Sequence, residues 1–483
     1  MILLLPLLIP VVGAAVLLGF GTGRRARVLA LVIGAAEVVA VLRVVLVVYF
    51  AGPLQSGRFL RADGLSAFFL LNVALVSGLA LVYSLDYLSH IEGSRFSSPR
   101  WFYALLFFFI FTMVGVCVSS NLGLLWIMME ATTLASALLV GFYNTRGAVE
   151  AGWKYLIVCT VGIAFALFGT IVLYMAAIKS GLSTDVALDW TALMEAVPRL
   201  GAETALLKLA FVFVIVGYGT KVGFVPMHSW LPDAHAEAPS PISALLSAVL
   251  LNCAMYTLLR YDAIIARAIG ANFSHTLLLV FGAVSLVTAG LLIVVQRDLK
   301  RLLAYSSIEH MGIVAIGIGL GGALGLYGAL LHIFNHSLGK SLLFFAAGNV
   351  RQNFGTSRMD RIGGLARLLP KTAMALSLGT LAIVGLPPFA LFVSEFAILS
   401  EAFAQSQILV ATLFLVTLSI VFGGMFHQLS GMLFREGKQS PASTRLALSE
   451  SLPIAITVIG LAWLGVHIPA GLKGLIERAI AVL

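Results

Sequence analysis

A chain of 483 residues with 60% hydrophobic and only 11% charged residues, and a mean hydropathy of +1.04, lies far from soluble proteins, where roughly 25% of residues are charged. The formal net charge of +9 argues against a nucleic-acid-binding protein, because the basic residues are scattered through short segments between apolar runs rather than gathered in one patch. Cys117, Cys159 and Cys253 all fall in apolar runs with no CxxC spacing, so neither a disulfide framework nor an iron–sulfur or zinc site is readable.

Apolar runs long enough to cross a bilayer recur along the whole chain. The first (MILLLPLLIPVVGAAVLLGF) lacks a basic leader and is followed by Arg24, Arg25 and Arg27, so it reads as a span rather than a cleaved signal. The expected spans, about fourteen, are 2–20, 27–50, 66–89, 101–119, 121–142, 152–178, 205–225, 239–260, 274–296, 301–320, 322–349, 372–393, 407–430 and 451–470. Sorting the connecting segments alternately puts eighteen Lys and Arg on one side and eight on the other, with Arg95, Lys300, Lys438 and Arg445 in the larger set and Arg260 in the smaller. The positive-inside rule then places both termini outside the cytoplasm. No connecting segment is the size of a soluble domain. The expectation is one all-α polytopic membrane domain over 1–483.

Two stretches interrupt the helical pattern. In GTKVGFVPMHSWLPDAHAEAPSPIS, Pro226 and Pro232 follow Lys221; in VGLPPFALFVSEF, Pro387 and Pro388 precede Glu395. Proline ends or kinks a helix by removing a donor and clashing with the preceding turn. Broken spans at corresponding places in two halves point to inverted repeats and to a transport site. The layout gives two inverted five-helix repeats, near 101–265 and 274–430, flanked by helices in 1–90 and 451–470.

The ionisable residues inside apolar runs carry the chemistry, because a charge at membrane depth is costly and marks ion or proton routes. Lys221 is such a charge. Glu130, in LLWIMMEATTLAS, is an available partner on another helix, and the pair reads either as a switch or as a static salt bridge. His332, His336 and Lys340 recur every fourth residue and so share one helix face, as a proton relay needs. The same His-x3-His spacing could bind a metal, though no further ligand is evident and Lys340 would repel a cation; simple helix-to-helix hydrogen bonding is a third reading. Glu395 lies in the second interrupted span, and His310, beside Glu309, is a further relay candidate.

Several linked motifs resemble the proton-translocating antiporter-like family, which includes the large membrane subunits of respiratory complex I, the Mrp sodium/proton antiporters and the membrane arms of energy-converting hydrogenases. The carriers are KVGFVPMHSWLPDAHAEAPSPISALLS, RDLKRLLAYSSIEHMG, HSLGKSLLFFAAG and GLPPFALFVSEF. Within the family, residues 126–170 resemble most the hydrogenase-4 component F branch. The resemblance implies a proton path in which Glu130 pairs with Lys221, followed by His332, His336 and Lys340, with Glu395 as its far ionisable group. One position departs: Asn252 stands where many members carry a central lysine, and an amide cannot store a proton. The resemblance further implies an ion-translocating, most simply proton-translocating, subunit of a redox-driven complex of the group 4 nickel–iron hydrogenase or formate hydrogenlyase type. The alternative readings are an Mrp-type antiporter subunit and a complex I-type membrane subunit. Iron–sulfur clusters and nickel–iron or other redox centres are then expected on partner chains and none on this one. The partners would be other membrane-arm subunits and a peripheral redox module within a lipid bilayer, with no nucleic acid.

Overall fold

The computed structural model describes residues 2–90, 98–436 and 447–483. Arg95, Lys438 and Arg445 of the larger basic set lie outside the described residues. Within them the architecture is a helical bundle, the form a lipid environment demands because a helix satisfies its backbone internally. Its helices are α1 (Leu5–Phe20), α2 (Gly23–Ala51), α3 (Gly64–Tyr87), α4 (Pro99–Val118), α5 (Leu122–Val140), α6 (Arg146–Lys179), α7 (Thr204–Val222) and α8 (Leu231–Glu237). They continue as α9 (Ser240–Ile269), α10 (Asn272–Val295), α11 (Leu299–Leu320), α12 (Gly322–Phe354), α13 (Pro370–Ile383), α14 (Ala390–Ala404), α15 (Ile408–Phe434), α16 (Leu448–Val466) and α17 (Ala470–Ile480). A small antiparallel hairpin, Leu54–Ser56 with Leu60–Ala62, joins α2 to α3.

Local chemistry sets many helix ends. Asp63, Asn121, Thr145 and Asp298 each accept a hydrogen bond from a first-turn amide of α3, α5, α6 and α11, as N-caps do. Helix α7 stops at Gly223, whose left-handed φ of 88° favours glycine, and Pro226 and Pro232 prevent it from resuming in register. Helix α9 runs through a π-turn at Leu246–Leu250, a local widening often found at functional sites.

Among the described residues eleven helices are long and apolar enough to cross a membrane, against the expected fourteen. Three expected spans fall short of that criterion: α1 is only 16 residues, α12 carries His332, Asn335, His336, Lys340 and Asn349, and the run expected over 372–393 is two half-helices, α13 and α14, parted around Pro387 and Pro388. The amphipathic C-terminal α17 was not expected. Lys473, Glu477 and Arg478 lower its hydropathy, as suits a helix lying at an interface.

Burial identifies the centre of the bundle. The apolar window of α9 is 100% buried and that of α11 94%, whereas those of α15 and α16 bury 33%. Helix α12 packs against α3, α11, α14 and α16, and α7 packs against α6 and α9. The broken helices therefore abut the two most buried ones, where water and lipid are excluded.

Candidate functional site

Lys221 sits in the last turn of α7 and is fully buried. Its Nζ donates to Tyr155 OH at 3.0 Å and Thr132 Oγ1 at 3.3 Å, and lies 5.0 Å over the Tyr155 ring. Tyr155 is held from behind by Ser136 at 2.7 Å and by a tilted ring contact with Trp230, centroids 4.6 Å apart. Trp230 in turn donates its indole N–H to the Thr220 carbonyl at 2.8 Å. The tryptophan of the HSWLPDAH run thus satisfies a backbone group next to the helix break. Asp233 of the same run ion-pairs with Lys154 and Arg301, tying α8 to α6 and α11.

The expected direct pair between Glu130 and Lys221 is not formed: the two do not come within ion-pair distance. Glu130 is half-buried and accepts hydrogen bonds from Thr160 (2.8 Å) and Thr133 (3.2 Å). The reason is angular. With 3.6 residues per turn, residues 130 and 132 of α5 point roughly 200° apart, so when Thr132 meets Lys221, Glu130 faces α6. Lys221 remains within electrostatic reach of Glu130 and of Cys253 on α9.

Next to Cys253 on α9, Asn252 donates from Nδ2 to Ser337 Oγ at 2.9 Å and to the Ala248 carbonyl at 2.6 Å. Asn252 therefore joins α9 to α12 through hydrogen bonds at the place where the resemblance led one to look for a lysine. Ser247, in the π-turn, meets Ser307 of α11 at 2.7 Å.

His332, His336 and Lys340 are fully buried on α12. His332 is bonded at both nitrogens, Nε2 to His310 Nδ1 at 2.9 Å and Nδ1 to Ser394 Oγ at 3.0 Å. The His336 ring lies 5.3 Å from that of His310, and neither of its nitrogens has a hydrogen-bond partner among the described residues. Lys340 donates to the Leu303 carbonyl at 2.9 Å. His310, His332 and Glu395 place one ligand-type atom each within 4.8 Å of one another. Glu395 is held close by Gly385, where a Cβ would stand 1.8 Å from its Oε2. The metal-capable trio is therefore His310, His332 and Glu395, not the His332–His336 pair that spacing put forward. Since His310 and His332 hydrogen-bond each other, one lone pair that a metal would need is already engaged; the arrangement suits proton exchange between rings.

Three buried groups widen the set beyond the sequence reading. Glu309 stands 3.7 Å from His310 Nε2 and within electrostatic reach of Lys340 and Glu395. His235, in the PDAH run, is buried with neither nitrogen partnered among the described residues, within reach of Lys300, Lys340 and His336. Lys300, assigned from sequence to a connecting segment, is fully buried and donates to the Ala238 and Ala236 carbonyls at 2.5 and 3.2 Å. Histidine in a motif and a Glu-His doublet were visible signals; nothing in the sequence told that Lys300 turns inward.

The match to known proteins covers most of the chain. Residues 119–423 match the family model described as NADH:quinone oxidoreductase/Mrp antiporter, transmembrane, and residues 51–97 the model for the N-terminus of chain 5 of NADH-ubiquinone oxidoreductase (complex I). A hydrogenase-4 component F homolog of Methylacidiphilum infernorum is 40% identical over 86% of this chain and 86% of that protein. NADH-quinone oxidoreductase subunit N of Desulforudis audaxviator is 32% identical over 86% of this chain and 82% of that protein. The fold superimposes on chains of an archaeal membrane-bound sulfane sulfur reductase (TM-score 0.87, 22% identity, covering 99% of this chain and 97% of that chain) and of the Mrp complex from Dietzia (TM-score 0.85, 17% identity, 100% and 96%). It also superimposes on a chain of respiratory complex I from Thermus thermophilus (TM-score 0.83, 25% identity, 100% and 99%). The chain belongs to the NADH:quinone oxidoreductase/Mrp antiporter transmembrane family, as an antiporter-like subunit of the hydrogenase-4, complex I and Mrp group.

Proposed function

We propose that this chain translocates protons as part of a redox-driven membrane complex of the nickel–iron hydrogenase or formate hydrogenlyase type. The observation that carries the proposal is the file His310–His332–Ser394, bonded ring to ring at 2.9 Å and ring to hydroxyl at 3.0 Å in the bundle interior, with Lys340, Glu309 and Glu395 around it. Imidazoles accept a proton at one nitrogen and release one from the other, so a bonded pair can pass a proton on. Lys221 opens the route beside the broken α7, and Glu130 supplies the charge that favours or disfavours its protonation as their separation changes. At an effective dielectric of about 20, a unit charge roughly 6 Å away contributes on the order of 3 kcal/mol, enough to shift occupancy by about a hundredfold. The His310, His332, His336, Lys340 and Glu395 cluster, all within the second repeat near 274–430, forms the rest of the path; that repeat and the inverted one near 101–265 each contain one broken helix.

Membrane-arm neighbours are supported by Glu130. It lies half-buried beside outward-facing Ile127, Leu134 and Ile157, and a carboxylate bordering lipid calls for a protein neighbour. Iron–sulfur and nickel–iron centres would reside in a peripheral redox module on other chains. The surrounding bilayer would be a prokaryotic inner membrane, with both termini of this chain on its outer side. The electron-transfer step would bias the Glu130–Lys221 spacing from one end.

The test is proton uptake by vesicles containing the purified complex with Lys221→Met or His332→Ala. Redox turnover should continue with proton translocation reduced at least tenfold while subunit composition is unchanged. Intact translocation in both variants would refute the route. Sodium-gradient-driven uptake without any redox substrate would instead favour the Mrp-type antiporter reading.

A further inference from the structure

At the side of the bundle where α2 ends, two cavities lie end to end. One, about 550 Å³, is bounded by Val48, Gly52, Trp190 and three arginines, Arg61, Arg267 and Arg478. The other, about 580 Å³, is an apolar groove among α2, α3, α12, α16 and α17, lined by residues such as Leu46, Leu75, Phe334, Trp463 and Leu475. They meet where Arg478 of the first cavity places its guanidinium 5.0 Å over the ring of Tyr49, which lines the second. Helix α17 forms a wall of both, held close because Gly474 lies against Tyr49 and Gly64 of α3 lies under the Arg478 carbonyl.

The charges at this end do not cancel. Asp63 borders the first cavity, but both of its oxygens are taken by Arg260, which does not line it. Arg61 Nε also stands 3.9 Å from Asp63 Oδ2, so four guanidiniums, Arg260 included, face the carboxylates of Asp63 and Glu195, a surplus of two positive charges. Arg61 Nε is buried without a hydrogen-bond partner among the described residues, and Arg267 donates to the Val482 carbonyl at 3.2 Å. A fork of guanidinium donors presents the geometry that phosphate oxygens fill, and the apolar groove starting one side chain away runs along membrane-spanning helices.

We propose that this double cavity is a binding site for one anionic phospholipid, with its phosphate headgroup on Arg61, Arg267 and Arg478 and an acyl chain in the groove between α2 and α16. The charge complementarity chooses this occupant. A neutral isoprenoid headgroup has no use for three arginines, and an apolar helix of a partner would leave them facing lipid. The bound lipid packs α17 against α2 and α3.

The full chain, purified in a mild detergent with its complex where one forms, is examined by native mass spectrometry in mixed anionic and zwitterionic phospholipid. Wild type should retain the anionic lipid in preference by on the order of a hundredfold, as three arginines at a membrane surface imply. Arg61→Gln/Arg267→Gln/Arg478→Gln should abolish that preference. Leu46→Trp/Leu75→Trp, which fills the groove and leaves the charges alone, should reduce retention of any lipid, and Arg24→Gln/Arg25→Gln should change nothing. The Lys221→Met variant should retain the lipid as wild type does, since the site does not depend on ion transport. Equal retention of anionic and zwitterionic lipid by wild type overturns the proposal without recourse to any variant. So does undiminished anionic preference in a folded triple variant, or a groove filled by a partner's helix in the purified complex.

Discussion

Arg260 and Lys221 are both buried cations on helices that pack together, and the protein treats them in opposite ways. Arg260 is locked: NH1 and NH2 donate to the two oxygens of Asp63 at 2.8 and 2.6 Å, NH2 also to Ser66, Nε to Tyr256 OH at 3.0 Å, and the guanidinium lies 4.5 Å over Trp190. Lys221 has two neutral hydroxyls and an aromatic face, with its carboxylate turned away toward α6. A bidentate, fully satisfied pair has one arrangement and resists change. A lysine held by neutral oxygens can lose its proton and leave those oxygens with other partners, as a switch requires. Burial alone does not separate a fixed cation from a switchable one; the partner set does.

The largest effect should come from opening the lock. Asp63→Asn keeps an acceptor at the start of α3 but strands Arg260 as an uncompensated buried charge, which costs about 3–5 kcal/mol. Thermal unfolding in detergent should show a large fall in Tm, while Asp63→Asn/Arg260→Met should recover part of it. A wild-type Tm in the single variant would end the contrast. The pH dependence follows the same pair. Burial pushes the Asp63 carboxyl up, but Arg260 and the Ser66 amide more than offset this and hold it below the usual carboxylate range. A group lowered in the folded state stabilises fully above its unfolded value of about 4, and that contribution fades as pH falls through the lower folded value. Wild type should therefore lose this contribution on acidification while Asp63→Asn/Arg260→Met has none to lose, so the gap in Tm between the two should narrow as pH falls below about 4.

A smaller loss is expected at Glu395, which like Lys221 lacks an ionic lock. Gly385 holds a φ of 69° and leaves no room for a Cβ beside Glu395. Gly385→Ala should cost on the order of 2 kcal/mol and displace the carboxylate, lowering proton translocation with little effect on redox turnover. Glu395→Ala in the same chain should restore much of the stability but none of the translocation. Restored translocation would show that Glu395 lies off the route.

At Lys221 itself the expected sign reverses. Lys221→Met replaces a desolvated ammonium by an apolar chain of similar length, a change that is often neutral or stabilising. Its Tm should stay within a few degrees of wild type, against the large fall at Asp63. A collapse of comparable size would mean that Lys221 is structural and would undercut the proposed route.

How much of this was legible in the sequence depends on the range of the physics. The His332, His336 and Lys340 face was readable because a period of four is a local property of one helix. The breaks after Lys221 and before Glu395 were readable because proline acts on its own turn. The Glu130–Lys221 contact was misread because it depends on how α5 is rotated, and the rotation is set by Thr132 and Ser136 meeting Tyr155 and Lys221 on other helices. The Asp63–Arg260 lock joins residues 197 apart, a distance no local pattern spans, and Arg260 was accordingly assigned to a connecting segment. Helix α17 was invisible to a search for long apolar runs because its own run is short and interrupted by charge.

The finest test compares two tyrosines, one on each cation. Tyr155→Phe removes the 3.0 Å acceptor of Lys221 and the 2.7 Å bond to Ser136 but keeps the ring beneath the ammonium and its tilted contact with Trp230. Tyr256→Phe removes the 3.0 Å acceptor of Arg260 Nε, together with the hydroxyl's bonds to the Cys117 carbonyl at 2.9 Å and Ser66 at 3.2 Å, and likewise keeps its ring. Each deletes one hydrogen bond to a charged group, worth roughly 1.5–3 kcal/mol. If the two cations differ as argued, the cost appears in different observables. At Arg260 the whole loss should register as a lower Tm with proton translocation unchanged, because the lock has only one state to weaken. At Lys221 the hydroxyl stabilises the charged form alone, so the stability loss should be the smaller of the two and the translocation rate should fall by roughly tenfold. Parallel Tm and vesicle-uptake measurements on the two variants decide it: equal falls in both quantities would mean that Lys221, too, is simply held in place.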